Sequence, residues 1–362
     1  MSCFKPNYVL KYVFHLPGDY IEYTKGSSSK VFKVSKDKTF AYRFLNGDKF
    51  NEKYKNGLLS DNLVLDEGFE ISSIPCGHCL GCQIDYSKQW ASRCFVESLQ
   101  FSDNYFITLT YNKENVKYSD MSNKTLSIDD FNKFMKDLRN YFKRHFNHDN
   151  IRFFACGEYG TGTARPHYHI ILFNCPIPDL NPVFDYIDDD GTHIITTKVK
   201  NGNIYYDSKI LKSIWNKGNV VIGKCEAASC AYVARYCTKK LYGNDKKVYD
   251  ALGIIPPFLR MSRMPGIGST FFNENIDDIY FYNGYVVNDK GKSHYVSPGR
   301  FCDRLLQKID EIKFNDIKDL RKVKMLDQIK TKLHLSNLSY IEQLDAEYDS
   351  FKKKIASLHR SL

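Results

Sequence analysis

The chain has no stretch of eighteen apolar residues, which excludes a simple membrane-spanning helix. Its first residues, Met1-Ser2-Cys3-Phe4-Lys5-Pro6, lack the apolar centre of a secretory leader, so no membrane partner and no export are expected. The phosphate-cradling pattern G-x-x-x-x-G-K-[ST] is absent, which argues against an ATPase or helicase in the chain. No internal repeat is present, which argues against a solenoid or propeller. The cysteines number 11, an odd count in a long chain, and fit reduced thiols better than a disulfide framework.

What is present is ordinary globular material with a basic, aromatic bias. The chain has 362 residues, of which 43% are hydrophobic and 26% charged, enough to bury at least one full core. Formal net charge is +10, alongside 26 Tyr and 25 Phe. Basic side chains neutralise phosphates and aromatic faces stack on unpaired bases, so the composition suits a nucleic-acid partner. It also suits core aromatics beneath a solvated basic surface.

Periodicity predicts an α+β fold. Residues 1–75 read as irregular and polar, with a loop at Ser27-Ser28-Ser29 and short strand-like runs such as Val31-Phe32-Lys33-Val34. A helix is predicted from about Asp85 to Gln100. Phe106 to Tyr111 is rich in β-branched and aromatic residues and reads as a strand. Ser127 caps an amphipathic helix to about His145, with Phe131, Phe134, Met135, Leu138 and Phe142 on its core face. Further strands are predicted at Ile151 to Cys156, Pro166 to Phe173 and Gly218 to Gly223. Residues 176–206, with Asp188-Asp189-Asp190-Gly191, read as a hairpin insertion. A helix is predicted from about Glu226 to Lys240, and a charged, proline-free helical tail from about Asp303.

Two clusters carry chemistry. His167 and His169 are two apart on a predicted strand, so both imidazoles face the same way and make a half-site for a divalent ion. Glu158, ending the neighbouring strand, would add an oxygen ligand. On its own a His-x-His pair is also what a solvated strand face carries by chance. The helix Ala231-Tyr232-Val233-Ala234-Arg235-Tyr236-Cys237-Thr238-Lys239-Lys240 changes the weighing. Tyr232 and Tyr236 are at i and i+4, on one helical face, with Lys239 and Lys240 close to the same side. A tyrosyl oxygen would attack a DNA phosphodiester and take its 5′-phosphate. Free tyrosine titrates near about 10, so the attack needs a polarised target, which a cation and a lysine would supply.

These motifs resemble the HUH endonucleases. Phe106-Ile107-Thr108-Leu109-Thr110 is similar to their first motif, His167-Tyr168-His169 to the metal motif, and Tyr232 to Lys239 to the two-tyrosine motif. Pro75-Cys76-Gly77-His78-Cys79-Leu80-Gly81-Cys82, Gly157-Glu158-Tyr159-Gly160, Arg165-Pro166-His167-Tyr168-His169 and Met261 to Gly268 bring it closer to the replication initiators of gokushovirus-like phages. The resemblance spans about residues 75–270. It implies a central antiparallel sheet flanked by helices, a ferredoxin/RRM-like core with N-terminal and C-terminal extensions. The corresponding segments are 1–75, a Cys-rich stretch and helix at 76–104, a nickase core at 105–270 and a largely helical 271–362. It further implies Mg²⁺ or Mn²⁺, single-stranded DNA at a viral replication origin, a host helicase and DNA polymerase, and action in the host bacterial cytoplasm. Tyr168 stands where the motif's name implies a bulky hydrophobe.

Cys76, Cys79 and Cys82 have C-x₂-C-x₂-C spacing. A zinc ion would need a fourth ligand, for which Cys94, His78 and Cys3 are candidates and Cys94 is the one taken. Gly77 and Gly81 would permit the turn such a site requires. The alternative is reduced structural cysteines leading into the helix; an iron–sulfur cluster fits less well. Two other functions remain open at this point. A non-enzymatic single-strand nucleic-acid-binding protein would explain the charge and aromatics but leave the histidine and tyrosine pairs unused. A His-ligated metal oxidoreductase would have no use for the tyrosine–lysine helix.

Overall fold

In the computed structural model the described residues are 3–4, 6–13, 33–34, 40–45, 69–160, 162–183, 185–187, 193–195, 204–236, 244–289, 291–338 and 340–359. The expected Ser27-Ser28-Ser29 loop, the Asp188 to Gly191 stretch and Cys237 to Lys240 lie outside them. The chain divides into two compact units, one of residues 1–85 with 312–362 and one of residues 86–311.

In the first unit, residues 1–75 do more than the irregular reading predicts. They contribute β1 (Asn7–Val13), β2 (Lys33–Val34), β3 (Phe40–Leu45) and β4 (Phe69–Ile74), in the antiparallel order β2-β3-β1-β4. Asn7 of β1 lies opposite Ile74 of β4, so the chain before β1 and the chain after β4 leave the sheet at the same end.

The second unit is built on a seven-stranded antiparallel sheet. Its strands are β5 (Tyr105–Tyr111), β8 (Arg152–Tyr159), β9 (Pro166–Phe173), β10 (Asn181–Val183), β13 (Tyr205–Asp207), β14 (Gly218–Lys224) and β15 (Phe258–Met261). Their order is β10-β13-β14-β5-β9-β8-β15. Short hairpins β6 (Lys117–Tyr118) with β7 (Lys124–Thr125), β11 (Asp185–Ile187) with β12 (His193–Ile195), and β16 (Tyr285–Asp289) with β17 (Lys292–Val296) complete the strands among the described residues. The protein is therefore α+β with a large antiparallel sheet flanked by helices, as the sequence predicts. β9, the strand with both histidines, lies between β5 and β8.

One face of this sheet is the core. α2 (Ile128–Phe146) begins at Ser127, whose hydroxyl accepts from the Asp130 N–H, and ends at Asn147 in the left-handed region with φ of 51°. Its buried face is Phe131, Phe134, Met135, Leu138 and Phe142, the residues its period picks out. With Leu211 and Trp215 of α3 (Lys209–Trp215) they cover Ile107, Leu109 and Tyr111 of β5, Tyr168, Ile170 and Leu172 of β9, and Phe153 and Ala155 of β8. β8 approaches closely because residue 157 is glycine: a Cβ there would lie 3.0 Å from the Phe258 ring.

The sequence's own oddity, Tyr168, is explained on this face. Its ring is fully buried, and its hydroxyl accepts from the Ser127 N–H at 3.0 Å and donates to the Ser127 carbonyl at 2.7 Å. It also lies 2.8 Å from the Tyr111 hydroxyl, which donates to Asp130 at 2.9 Å. Burial raises the Tyr168 hydroxyl to about 12, so it stays a neutral donor. The tyrosine thus keeps the bulk that the position needs and ties the start of α2 to β9.

Of the remaining helices, α1 (Leu80–Ser98) starts earlier than the predicted Asp85. Gly81 lies inside it, so only Gly77, with φ of 78°, makes the expected turn. α4 (Ala227–Arg235) is shorter than predicted, and Tyr236 follows it. α5 (Asn244–Ala251), α6 (Ser269–Glu274) and α7 (Ile276–Phe281) precede the helical tail of α8 (Arg300–Ile309), α9 (Glu311–His334) and α10 (Tyr340–His359). No helix among the described residues is long and apolar enough to cross a membrane.

Tyr168→Phe keeps the ring and deletes the hydroxyl, which leaves the Ser127 N–H and carbonyl without their partner. Urea unfolding should show a loss of about 1–3 kcal/mol. An unchanged midpoint would mean that this hydroxyl does not tie α2 to the sheet.

Candidate metal and nucleophile site

The other face of the sheet carries the polar cluster. Side chains alternate along a strand, so once Tyr168, Ile170 and Leu172 face the core, His167 and His169 face away from it. Antiparallel register then sets their neighbours. His169 lies opposite Thr108 on β5 and Cys156 on β8; His167 lies opposite Thr110 and Glu158. All share one face.

Glu158 joins the two histidines. Its Oε1 is 3.0 Å from His167 Nε2 and 3.1 Å from His169 Nε2. The three ligand atoms lie within 4.8 Å of one another, and all three residues are buried: Glu158 is 4% exposed, His167 9% and His169 6%. His167 Nδ1 is 3.1 Å from the Arg165 carbonyl, which can only accept, so that nitrogen carries the proton and Nε2 holds a lone pair. Thr108 Oγ1 lies 3.0 Å from His169 Nδ1 and fixes the second ring in the same way. A lone pair facing a buried carboxylate at hydrogen-bond distance is unfavourable unless a cation lies between them. Two imidazoles and a carboxylate, each anchored from behind, are a donor set that fits a divalent ion.

The tyrosines come from α4. Glu226 caps this helix, its N–H donating to Ser229 Oγ at 2.7 Å, and Cys230, Val233 and Ala234 are buried beneath it. Tyr236 lies just past the last residue, yet its φ of −66° and ψ of −14° continue the helical path. The i, i+4 relation therefore survives. The Tyr236 hydroxyl donates to the Tyr232 hydroxyl at 2.6 Å, with ring centroids 5.3 Å apart. The Tyr236 ring stacks on His169 at 5.2 Å, and Tyr232 meets the same imidazole edge-on at 5.2 Å. Burial pushes the Tyr232 hydroxyl above the ordinary tyrosine value, the bond from Tyr236 acting in the opposite sense. Burial raises Tyr236 as well, and its bond to Glu158 adds to that.

The sequence motifs contain, without a role assigned to them, three residues that the structure brings here. Thr108 orients His169, the Arg165 carbonyl orients His167, and Phe106 stacks on His169 at 5.7 Å and meets Tyr232 edge-on at 5.8 Å. Period-two alternation places Phe106 and Thr108 on one face; only the β5–β9 pairing shows that it is the histidine face. Lys239 and Lys240 lie outside the described residues. Cys94 is not with the other three cysteines. It lies further along the same helix as Cys82, and twelve residues of helix separate the two by about 18 Å.

An antiparallel sheet that collects two imidazoles, a carboxylate and two tyrosyl hydroxyls on one face defines a protein equipped for metal-assisted chemistry with an oxygen nucleophile. Comparison with known proteins gives its family. Residues 104–241 match the family model of the replication-associated protein ORF2. The replication-associated protein ORF2 of Spiroplasma virus 4 is 33% identical over 321 residues, 87% of this chain and 94% of that one. The replication-associated protein VP4 of Bdellovibrio phage phiMH2K is 33% identical over 223 residues, 60% of this chain and 63% of that one. The replication-associated protein ORF4 of Chlamydia phage 1 is 27% identical over 196 residues, 53% and 45% of the two chains. No solved structure matches significantly. The chain belongs to the replication-associated proteins of gokushovirus-like microviruses.

Thr108→Val should weaken Mn²⁺ binding about 10–100-fold, because the His169 ring loses the partner that orients it. Calorimetric titration would measure this, with His167→Ala, His169→Ala as the variant without binding. Equal affinity in Thr108→Val and the parent would remove Thr108 from the site.

Proposed function

We propose that the protein initiates rolling-circle replication as a metal-dependent, site-specific single-strand DNA endonuclease and strand transferase that forms a 5′-phosphotyrosine intermediate. The observation that carries this reading is the meeting of two hydroxyls 2.6 Å apart, Tyr232 and Tyr236, against the imidazole of His169.

His167, His169 and Glu158 would hold the ion, Mg²⁺ or Mn²⁺. Bound there, a divalent cation supplies Lewis-acid polarisation of a phosphoryl oxygen. The chain's own residues do the rest. A tyrosyl oxygen attacks the phosphorus, the bond from phosphorus to the 3′ oxygen breaks, and that oxygen leaves as a 3′-hydroxyl. The tyrosyl group loses one proton and the leaving oxygen gains one, so the number of phosphodiester bonds and of protons is conserved. The energy of the broken bond is stored in the phosphotyrosine, and a 3′-hydroxyl can later attack it to rejoin the strand.

Paired hydroxyls suit a repeated reaction. While one tyrosine holds the 5′ end, the other can cut the regenerated origin, provided both reach one phosphate position. Helical spacing of i and i+4 meets that requirement. Lys239 and Lys240, three and four positions beyond Tyr236, would add positive charge beside the attacked phosphate. The net charge of +10 and the abundant aromatics suit single-stranded DNA held by its backbone and stacked bases. Because the chain lacks a phosphate-cradling loop of the ATPase kind, strand separation falls to a host helicase and extension to a host polymerase, in the bacterial cytoplasm.

Labelled single-stranded origin oligonucleotides on a denaturing gel test the reading. The parent protein with Mn²⁺ should cleave and retain the 5′ fragment covalently. His167→Ala with His169→Ala should lower cleavage by roughly two orders of magnitude or more while much DNA binding remains. Tyr232→Phe or Tyr236→Phe alone should keep single cleavage but lose sustained circle production, and the double variant should form no adduct. Full nicking by the double histidine variant, or an adduct in the double tyrosine variant, would overturn the proposal.

A further inference from the structure

A second cluster lies outside the histidine site, in the unit formed by residues 1–85 with 312–362. The sulfurs of Cys3, Cys76, Cys79 and Cys82 all lie within 4.8 Å of one another. We infer that these four cysteines bind a structural Zn²⁺ ion that fastens the start of the chain to the junction of β4 and α1.

The spacing of the sulfurs carries the argument. Cys3 Sγ is 3.7 Å from Cys76 Sγ and 3.9 Å from Cys79 Sγ. A disulfide would bring two of them to about 2.05 Å. Four thiolates at about 2.3 Å from one zinc ion, at the corners of a tetrahedron, stand about 3.8 Å apart. An iron–sulfur cluster would place several atoms between its cysteines and hold them wider apart.

Backbone donors point the same way. The Cys76 N–H donates to Cys3 Sγ at 3.3 Å, and the His78 and Cys79 N–H groups donate to Cys76 Sγ at 3.4 and 3.2 Å. Phe4 and Cys82 donate from the backbone to Cys79, and Gly77 to Cys82. Each of the four sulfurs thus accepts at least one N–H, the environment of a thiolate. Gly77, with φ of 78°, makes the turn that folds Cys76 back over Cys79, and α1 then carries Cys79's neighbour Cys82 round to the same point. Cys79 is buried and the other three are partly buried, so the ion would be largely shielded from solvent.

Cys3 is the ligand that spacing along the chain conceals, since 73 residues separate it from Cys76. The sheet supplies it. With Asn7 opposite Ile74, residues just before β1 meet residues just after β4. Four protein sulfurs with no open position make a structural site, so the ion's effect is to close this long loop.

The test uses the full chain carrying His167→Ala and His169→Ala, so that the first site contributes no metal. Purified from cells without added metal, it should contain one zinc per chain. After exchange of the zinc for Co²⁺, the spectrum should show intense near-ultraviolet thiolate-to-cobalt bands and the visible bands of a tetrahedral ion. Cys3→Ser should lower zinc retention, and Cys94→Ser should leave it unchanged. A chain free of zinc, a cobalt spectrum without thiolate bands, or zinc lost in Cys94→Ser and kept in Cys3→Ser would each overturn the proposal. The cobalt spectrum decides the matter even if Cys3→Ser fails to fold.

Discussion

The site depends on one constraint, the antiparallel register of β9 between β5 and β8. That register is held from the core side, where Tyr168, Ile170 and Leu172 pack with α2. Burying an Ile or Leu side chain contributes about 1.5–3 kcal/mol. A slip of one residue would expose that apolar set, turn both imidazoles into the core and separate Glu158 from His167. The chemistry of one face is thus fixed by the packing of the other, and the hydroxyl of Tyr168 joins the two by pinning β9 to the start of α2.

Gathering a carboxylate and two imidazoles beneath the surface is unfavourable in itself, since each loses water. The structure offsets this from behind, with Thr108 and the Arg165 carbonyl fixing the rings, and leaves the converging Nε2 and Oε1 atoms for a cation. α4 completes the arrangement. Its buried residues Cys230, Val233 and Ala234 set its height above the sheet, which brings both tyrosines against one imidazole. Binding, orientation and attack thus belong to three elements, and each can be altered separately.

Much of this was legible in the sequence, because the signals were local. Two-residue alternation marked β5 and β9, and the spacing of Phe131, Phe134, Met135, Leu138 and Phe142 marked α2. The helical spacing of Tyr232 and Tyr236 held although the helix ends one residue before Tyr236, since a single further residue in helical conformation suffices. What was not legible was long-range. Nothing near Thr108 indicates that it faces His169, and nothing near Cys3 indicates Cys76; strand pairing makes both contacts. Cys94, chosen for its proximity in sequence, proved to be carried away by the helix that the cysteine motif begins. The strands of residues 1–75 escaped notice because they are short and separated by long polar stretches.

The central claim is that the hydroxyls of Tyr232 and Tyr236 are the nucleophiles. Its most direct measurement is mass-spectrometric mapping of the peptide that remains joined to DNA after the wild-type protein has been incubated with origin DNA and Mn²⁺. The expected result is a 5′-phosphodeoxynucleotide on Tyr232 in some molecules and on Tyr236 in others. An adduct on any other residue, or cleavage that leaves no protein-linked DNA, would contradict it.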